Sequence, residues 1–295
     1  MSLDGLNGCP DTPGASDGAS GEKRLDAFAG YIEEYLALSE TAPDWKTIYF
    51  DGFAGSGSRR DEKKQLYGEL NFTPEEECGY KGAAERVMNL EKGFDYYYFV
   101  DDHRSLRKLK EKLGDMPESG RKRMIFRPEE CNGELARLAD AMHSDEFSTL
   151  LLLDPLGFAV DWRSIARFAG TRTDLWIVIP AGTVVNKLLD DRGNLDGLFR
   201  LEPFFGLKKE EIMAVLATAE KSPNLFEEET LAEKIALSLR QIAALYVSCM
   251  KKHWKYVTDV PLVYYSGRKV PICTFLCATD NRIVHDIAPG IIPGH

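Results

Sequence analysis

The sequence predicts an α/β fold: a mostly parallel sheet covered by helices on both faces, finished by a C-terminal antiparallel hairpin. Two observations predict it. Short apolar runs recur along the chain with helical patterns between most of them, the signature of parallel strands joined by crossover helices. The runs are continuously apolar rather than alternating, as strands buried on both sides should be. A third observation places the ligand edge. The first run ends in Asp51 and is followed at once by Gly52, Gly55 and Gly57, and glycines after a strand mark a turn that something approaches closely.

The elements follow in order. Residues 1–22 are rich in Gly, Ser, Asp and Pro, with no apolar core and no basic start. They read as a flexible leader and not as a signal peptide. Residues 23–295 read as one domain. "LDAFAGYIEEYL" opens it with Leu25, Phe28, Ile32, Tyr35 and Leu36 at helical spacing. Strands are expected at 47–51, 95–101, 123–126, 149–154 and 174–180. Leu106, Leu109 and Leu113 mark one intervening helix, and Leu135, Leu138 and Met142 mark the next. "DWRSIARF" opens a third, with Asp161 as its N-cap. A long helix is expected over 229–250, carrying Leu231, Ile235, Leu239, Ile242, Tyr246 and Cys249 on one side. "PLVYYSGRKVPICTFLCAT" then reads as a hairpin turning at Ser266-Gly267. Two segments interrupt the rhythm: a polar loop inserted at 58–81, and a helical insertion at 181–228 containing "GLFRLEPFFGL".

Composition narrows the classes. At 295 residues, 44% hydrophobic and 28% charged, the chain can bury a substantial core. No apolar run reaches the roughly 18–20 residues of a membrane span. Six scattered cysteines form no C-x-x-C pair, which supports neither a zinc ribbon nor a disulfide framework and points to the reducing cytoplasm. His103, His143, His253 and His285 lack metal-ligand spacing. A net charge of −10 argues against non-specific coating of nucleic acid, while leaving room for a local basic face. Arg59, Arg60, Lys63 and Lys64 follow the glycine turn; Arg104, Arg107, Lys108, Lys110 and Lys112 crowd a later helix; Lys251, Lys252 and Lys255 lie near the end of another. Solvated helix faces are the ordinary reading of such charges.

The glycine turn defines the cofactor question. In a doubly wound sheet the ligand sits beyond the carboxyl ends of the strands, at the switch point beside the first strand. A dinucleotide fingerprint needs G-x-G-x-x-G, but Arg60 stands where the third glycine belongs, and no phosphate loop occurs. The match is instead D-x-F-x-G-x-G: Asp51, Phe53, Gly55 and Gly57, with the small Ala54 between. This resembles motif I of S-adenosylmethionine-dependent methyltransferases, particularly those acting on nucleic acid. The chemistry is consistent. That cofactor has no pyrophosphate, its ammonium and sulfonium are cationic, and small residues let backbone lie against its methionine chain. Five alternating units, a helix and an antiparallel hairpin are also the strand recipe of the Rossmann-like class I methyltransferase sheet. A second acid, Asp101 with Asp102 as alternate, ends the second strand, where it either accepts ribose hydroxyls or caps the next helix. Glu130 and Asn132 follow the third strand, as an adenine-binding pair or with Asn132 as a helix N-cap.

The fourth strand ends "LLLLDPLG". Asp154 and Pro155 resemble the start of the D-P-P-Y motif of amino-group DNA methyltransferases. There the acid and a proline carbonyl accept hydrogens from an exocyclic amine, and an aromatic ring stacks on a flipped base. Leu156 and Gly157 replace the second proline and the aromatic, leaving Phe158, one place late, as the candidate ring. Arg59 and Arg60 are candidate substrate contacts.

Taken together, "YFDGFAGSG", "CGYKGAAERV", "FVDDHRSLRKL", "ECNGEL", "LLLLDPLGFAVDWRSI" and "TDLWIVIP" resemble, in that order, the three-Cys-motif partner (TcmP) proteins, over about residues 22–283. The resemblance implies a methyltransferase-type Rossmann fold, S-adenosylmethionine as cofactor, and a partner with a three-cysteine motif resembling radical S-adenosylmethionine proteins. The sequence departs from that family at Leu156, where an aromatic is usual, at Gly82-Ala83-Ala84 in place of G-S-P, and at Glu130-Cys131-Asn132 in place of D-x-N. Three functions are therefore expected to compete. The first is a methyltransferase acting on DNA or RNA; the second is a cofactor-binding subunit that assists such a partner without transferring methyl itself. The third is another small-molecule or nucleotide enzyme, against which the missing third glycine and phosphate loop count.

Overall fold

The computed structural model describes residues 17–41, 44–55, 83–115, 123–144, 146–155, 158–179, 200–217, 231–258, 262–265 and 271–281. The strands are β1 (Lys46–Asp51), β2 (Tyr96–Val100), β3 (Met124–Arg127), β4 (Phe147–Leu153), β5 (Thr173–Ile179), β6 (Tyr256–Val257), β7 (Leu262–Tyr265) and β8 (Pro271–Thr279). They form one sheet in the order β3-β2-β1-β4-β5-β8-β6, with β7 also paired to β8. The first five pair in parallel, and β8 runs antiparallel to β5, β6 and β7. The expected hairpin is therefore β7 against β8, with Leu262 opposite Phe275 and a register shift at Tyr264/Tyr265. Its turn residues lie outside the described ones. The fold is α/β with a mostly parallel mixed sheet, compatible with a Rossmann-like fold.

The helices are α1 (Asp17–Ser39), α2 (Ala83–Met88), α3 (His103–Lys112), α4 (Cys131–Ala141), α5 (Trp162–Ala166), α6 (Leu201–Phe205), α7 (Lys209–Ala217) and α8 (Leu231–Met250). The first begins ahead of the boundary expected at residue 23. The strands' period of two sends alternate side chains to opposite faces. Tyr49, Tyr97, Phe99, Leu150, Leu152 and Trp176 pack under α1, α2 and α3. Ile48, Phe50, Leu151, Leu153, Leu175 and Ile177 pack under α4 to α8. Both faces of every central strand are thus covered, which is why β4 and β5 read as unbroken apolar runs.

Within the expected 181–228 insertion, α6 and α7 are helical. Phe204 and Phe205 are buried against Tyr246 of α8, and the left-handed Gly206 (φ 65°) ends α6 where a Cβ would strike Trp162 at 2.3 Å. No helix among the described residues is long and apolar enough to cross a membrane.

Candidate functional site

The site is built at the carboxyl ends of β1, β2 and β4. Asp51 closes β1 and is buried at 4% exposure. Its Oδ1 accepts the Phe53 N–H at 3.1 Å and its Oδ2 faces the Tyr49 hydroxyl at 3.5 Å. The turn is laced to both neighbouring strands: Gly52 N–H donates to the Leu152 carbonyl at 3.0 Å and Ala54 N–H to the Val100 carbonyl at 3.1 Å. Phe53 is buried in the core beneath the turn.

Asp101, expected to meet ribose hydroxyls or cap a helix, is bonded to the turn and is not the cap. Its Oδ2 accepts the Gly55 N–H at 2.9 Å and its Oδ1 the Asp102 N–H at 2.7 Å. The N-cap of α3 is Asp102, whose carboxylate accepts both the Ser105 N–H (2.9 Å) and the Ser105 hydroxyl (2.7 Å). The glycines answer to the protein as well. A Cβ on Gly52 would lie 2.7 Å from both Cys131 Sγ and Leu153 Cδ2. One on Gly55 would lie 2.3 Å from Ser105 Cβ and 3.1 Å from Ser105 backbone carbons. Neither glycine has a left-handed φ, so space, not backbone freedom, requires them. What approaches these two glycines is helix α3, helix α4 and strand β4. Gly57, Arg59 and Arg60 lie outside the described residues. We predict that Gly55→Ala costs about 1–3 kcal/mol of stability by overpacking, read by urea denaturation; an unchanged midpoint would mean that α3 does not rest on the turn.

Glu130, not Asn132, is the N-cap of α4: its Oε2 accepts the Gly133 N–H at 3.1 Å. Asn132 spans to the next loop, donating to the Ala159 carbonyl at 2.9 Å and accepting the Asp161 N–H at 2.7 Å. Asp161 sits at the N-cap position of α5, but its carboxylate makes no cap bond. It accepts Arg200 Nη2 at 2.6 Å, and the same guanidinium donates to the carbonyls of Phe158 (2.8 Å) and Ala159 (3.2 Å). Arg200 was not foreseen. Its partners lie about forty residues away in sequence, and no local pattern marks it. Phe158 is buried in the core with its ring 5.0 Å from Phe204, so it is not a ring presented for stacking, contrary to expectation.

The electrostatics centre on two acids. Asp154 follows β4 and Pro155 beside it is buried. Burial pushes the Asp51 carboxyl up to about 7; the Phe53 N–H and the Tyr49 hydroxyl pull the other way, and the Asp154 carboxylate adds to the rise. Among the described residues, no basic side chain is one of the groups that act on Asp51. Structure thus brings together Asp51, Phe53, Ala54, Gly55 and Asp101 in one turn with Asp154 beside it, and sets Glu130 and Asn132 to building the adjoining loops. A buried acid next to a second acid disfavours its own charge, and a cationic group placed there would restore it. That chemistry fits a sulfonium or an ammonium. No group of three or more His, Cys, Asp or Glu side chains able to hold a metal occurs among the described residues.

Comparison with protein-family models gives no match, and comparison with curated proteins gives none either.

Proposed function

We propose that this chain is an S-adenosylmethionine-dependent methyltransferase-like protein acting on nucleic acid, of the three-Cys-motif partner type. The observation that carries the reading is the pair of carboxylates at the ends of adjacent central strands, Asp51 on β1 and Asp154 after β4, with Asp51 buried and, among the described residues, met by no basic side chain. The position is the one where open α/β sheets bind ligands. The sheet order, with an antiparallel β8 inserted beside β5, supports a class I methyltransferase arrangement. In this reading Asp51 and the turn from Phe53 to Gly55 hold the cofactor's cationic end, and Asp101 fixes that turn. When bound, S-adenosylmethionine supplies an activated methyl group. Asp154 and the Pro155 carbonyl accept hydrogens from the acceptor amine and orient it. Arg200 and Asn132 hold the loop that follows.

One observation favours a second reading. With Phe158 in the core and Leu156 in the aromatic place of the motif, the ring that would stack on a base is missing at both positions. A subunit that binds the cofactor and assists a three-Cys-motif partner needs no such ring. Radiolabelled methyl transfer to DNA and RNA, with the purified chain alone, separates the two. Transfer supports the enzyme; cofactor binding without transfer supports the subunit.

A further inference from the structure

Helix α3 carries a cationic face in an otherwise acidic protein. His103, Arg104, Arg107, Lys108, Lys110 and Lys112 are all exposed, and only Ser105, Leu106 and Leu109 of the helix are buried. Lys112 pairs with Glu85 at 2.9 Å and Arg107 approaches Glu111 at 4.0 Å, while Lys110 lies over the Phe126 ring. Among the described residues no carboxylate lies within ion-pair distance of Arg104 or Lys108. These two stand one helical turn apart on the same stripe. His103 and Arg104 stand in the first turn directly behind the Asp102 cap, while Lys110 and Lys112 lie in the last turn, where the helix dipole favours cations. The dipole thus accounts for Lys110 and Lys112 but not for Lys108 in mid-helix or Arg104 in the first turn. That same turn is locked to the candidate site, because Ser105 packs on Gly55 and Asp102 and Asp101 tie its start to the glycine turn.

We infer that the exposed face of α3, centred on Arg104 and Lys108, is a docking surface for the phosphate backbone of nucleic acid beside the site. The inference deepens the proposed function and rests on its choice of nucleic acid. The face carries charge without apolar anchors: the one large apolar side chain exposed among the described residues is Tyr96, at the far end of β2. Protein interfaces are organised around buried apolar and aromatic anchors, whereas phosphate binding needs cations alone.

The test is fluorescence anisotropy with a labelled single-stranded RNA, a single-stranded DNA and a DNA duplex, across a salt series, with poly-glutamate as a competing probe. Wild type is compared with the Arg104→Gln/Lys108→Gln double variant, and S-adenosylhomocysteine binding is measured on both by calorimetry. Wild type is expected to bind. The double variant should weaken binding about tenfold or more at 50 mM salt and lower the salt slope by about 1.4 for single strands or about 1.8 for duplex. Its S-adenosylhomocysteine affinity should not change, which also reports that it folds. Equal affinity and slope in the two proteins would overturn the inference, as would wild type that binds S-adenosylhomocysteine but no nucleic acid. Poly-glutamate displacing nucleic acid at equal charge concentration would overturn it in favour of an acidic protein partner. Nucleic-acid binding that depends on Arg104 and Lys108 in a chain that binds no cofactor would sustain the inference and sink the methyltransferase reading instead.

Discussion

Asp51→Asn is expected to raise the melting temperature at pH 8 while weakening S-adenosylmethionine binding on the order of 10- to 100-fold, the range for losing a bond to a charged group. The folded carboxyl titrates near 7 against an ordinary 3.8. Between those values the folded protein holds a proton that the unfolded chain has released. The group's contribution to stability is therefore whole below about pH 4 and lost as pH rises through 7, a difference of at most about 4 kcal/mol. Asparagine keeps an acceptor for the Phe53 N–H without the charge, so the gain at pH 8 should be on the order of 1–3 kcal/mol, several degrees of Tm. Asp174 is the control. It is equally buried near the start of β5, hydrogen-bonded by Thr279, and burial pushes it to about 7 as well, with Asp280 adding and the Thr279 and Tyr31 hydroxyls opposing. Asp174→Asn should stabilise in the same pH range and leave cofactor affinity untouched. Both acids carry this stability cost, so cofactor affinity is what separates them; an Asp51→Asn protein that binds the cofactor as wild type does would remove Asp51 from the site.

Asp154→Ala should lower methyl transfer by about 100- to 10,000-fold, the range for a positioned acid–base group, with cofactor affinity kept at pH 8. An acceptor-side group acts mainly in the transition state, so turnover falls much more than binding. The same substitution carries a second signature. Removing the Asp154 charge removes one of the causes that raise Asp51, so the pH midpoint of cofactor binding should move down. Equal losses of turnover and affinity would recast Asp154 as a cofactor or structural residue, and a midpoint that stays put would separate the two acids.

Much of this was legible in the sequence because burial leaves a direct trace. β1, β2, β4 and β5 are buried on both faces, so their apolar runs located them within two residues. The acids at the ends of β1, β2 and β4 were visible for the same reason, as the first charge after each run. What those acids and glycines do was less legible. Asp101 reads as a ligand contact or a cap, and only the fold shows it accepting from Gly55 across 46 residues of sequence. The glycines suggested ligand approach, yet Ser105 and Cys131 occupy the space that their missing side chains leave. A cap can be exchanged between neighbours of similar chemistry, which is why Glu130 and Asp102 hold roles that could equally be read onto Asn132 and Asp101. Phe158 looked like a displaced stacking ring because an apolar ring reads the same in a core as in a crevice. The two-residue β6 and the six-residue α2 are too short for a period to show.

We propose that the Asp51–Asp154 end of the sheet holds a cation-bearing cofactor. Calorimetric titration of the wild-type chain with S-adenosylmethionine from pH 6 to pH 8.5 tests it most directly. One site is expected, with an affinity that rises as pH passes through about 7 because the cation needs Asp51 ionised, and a loss of up to about tenfold per pH unit below that point. Absence of binding at every pH, or an affinity that ignores the titration of Asp51, would contradict it.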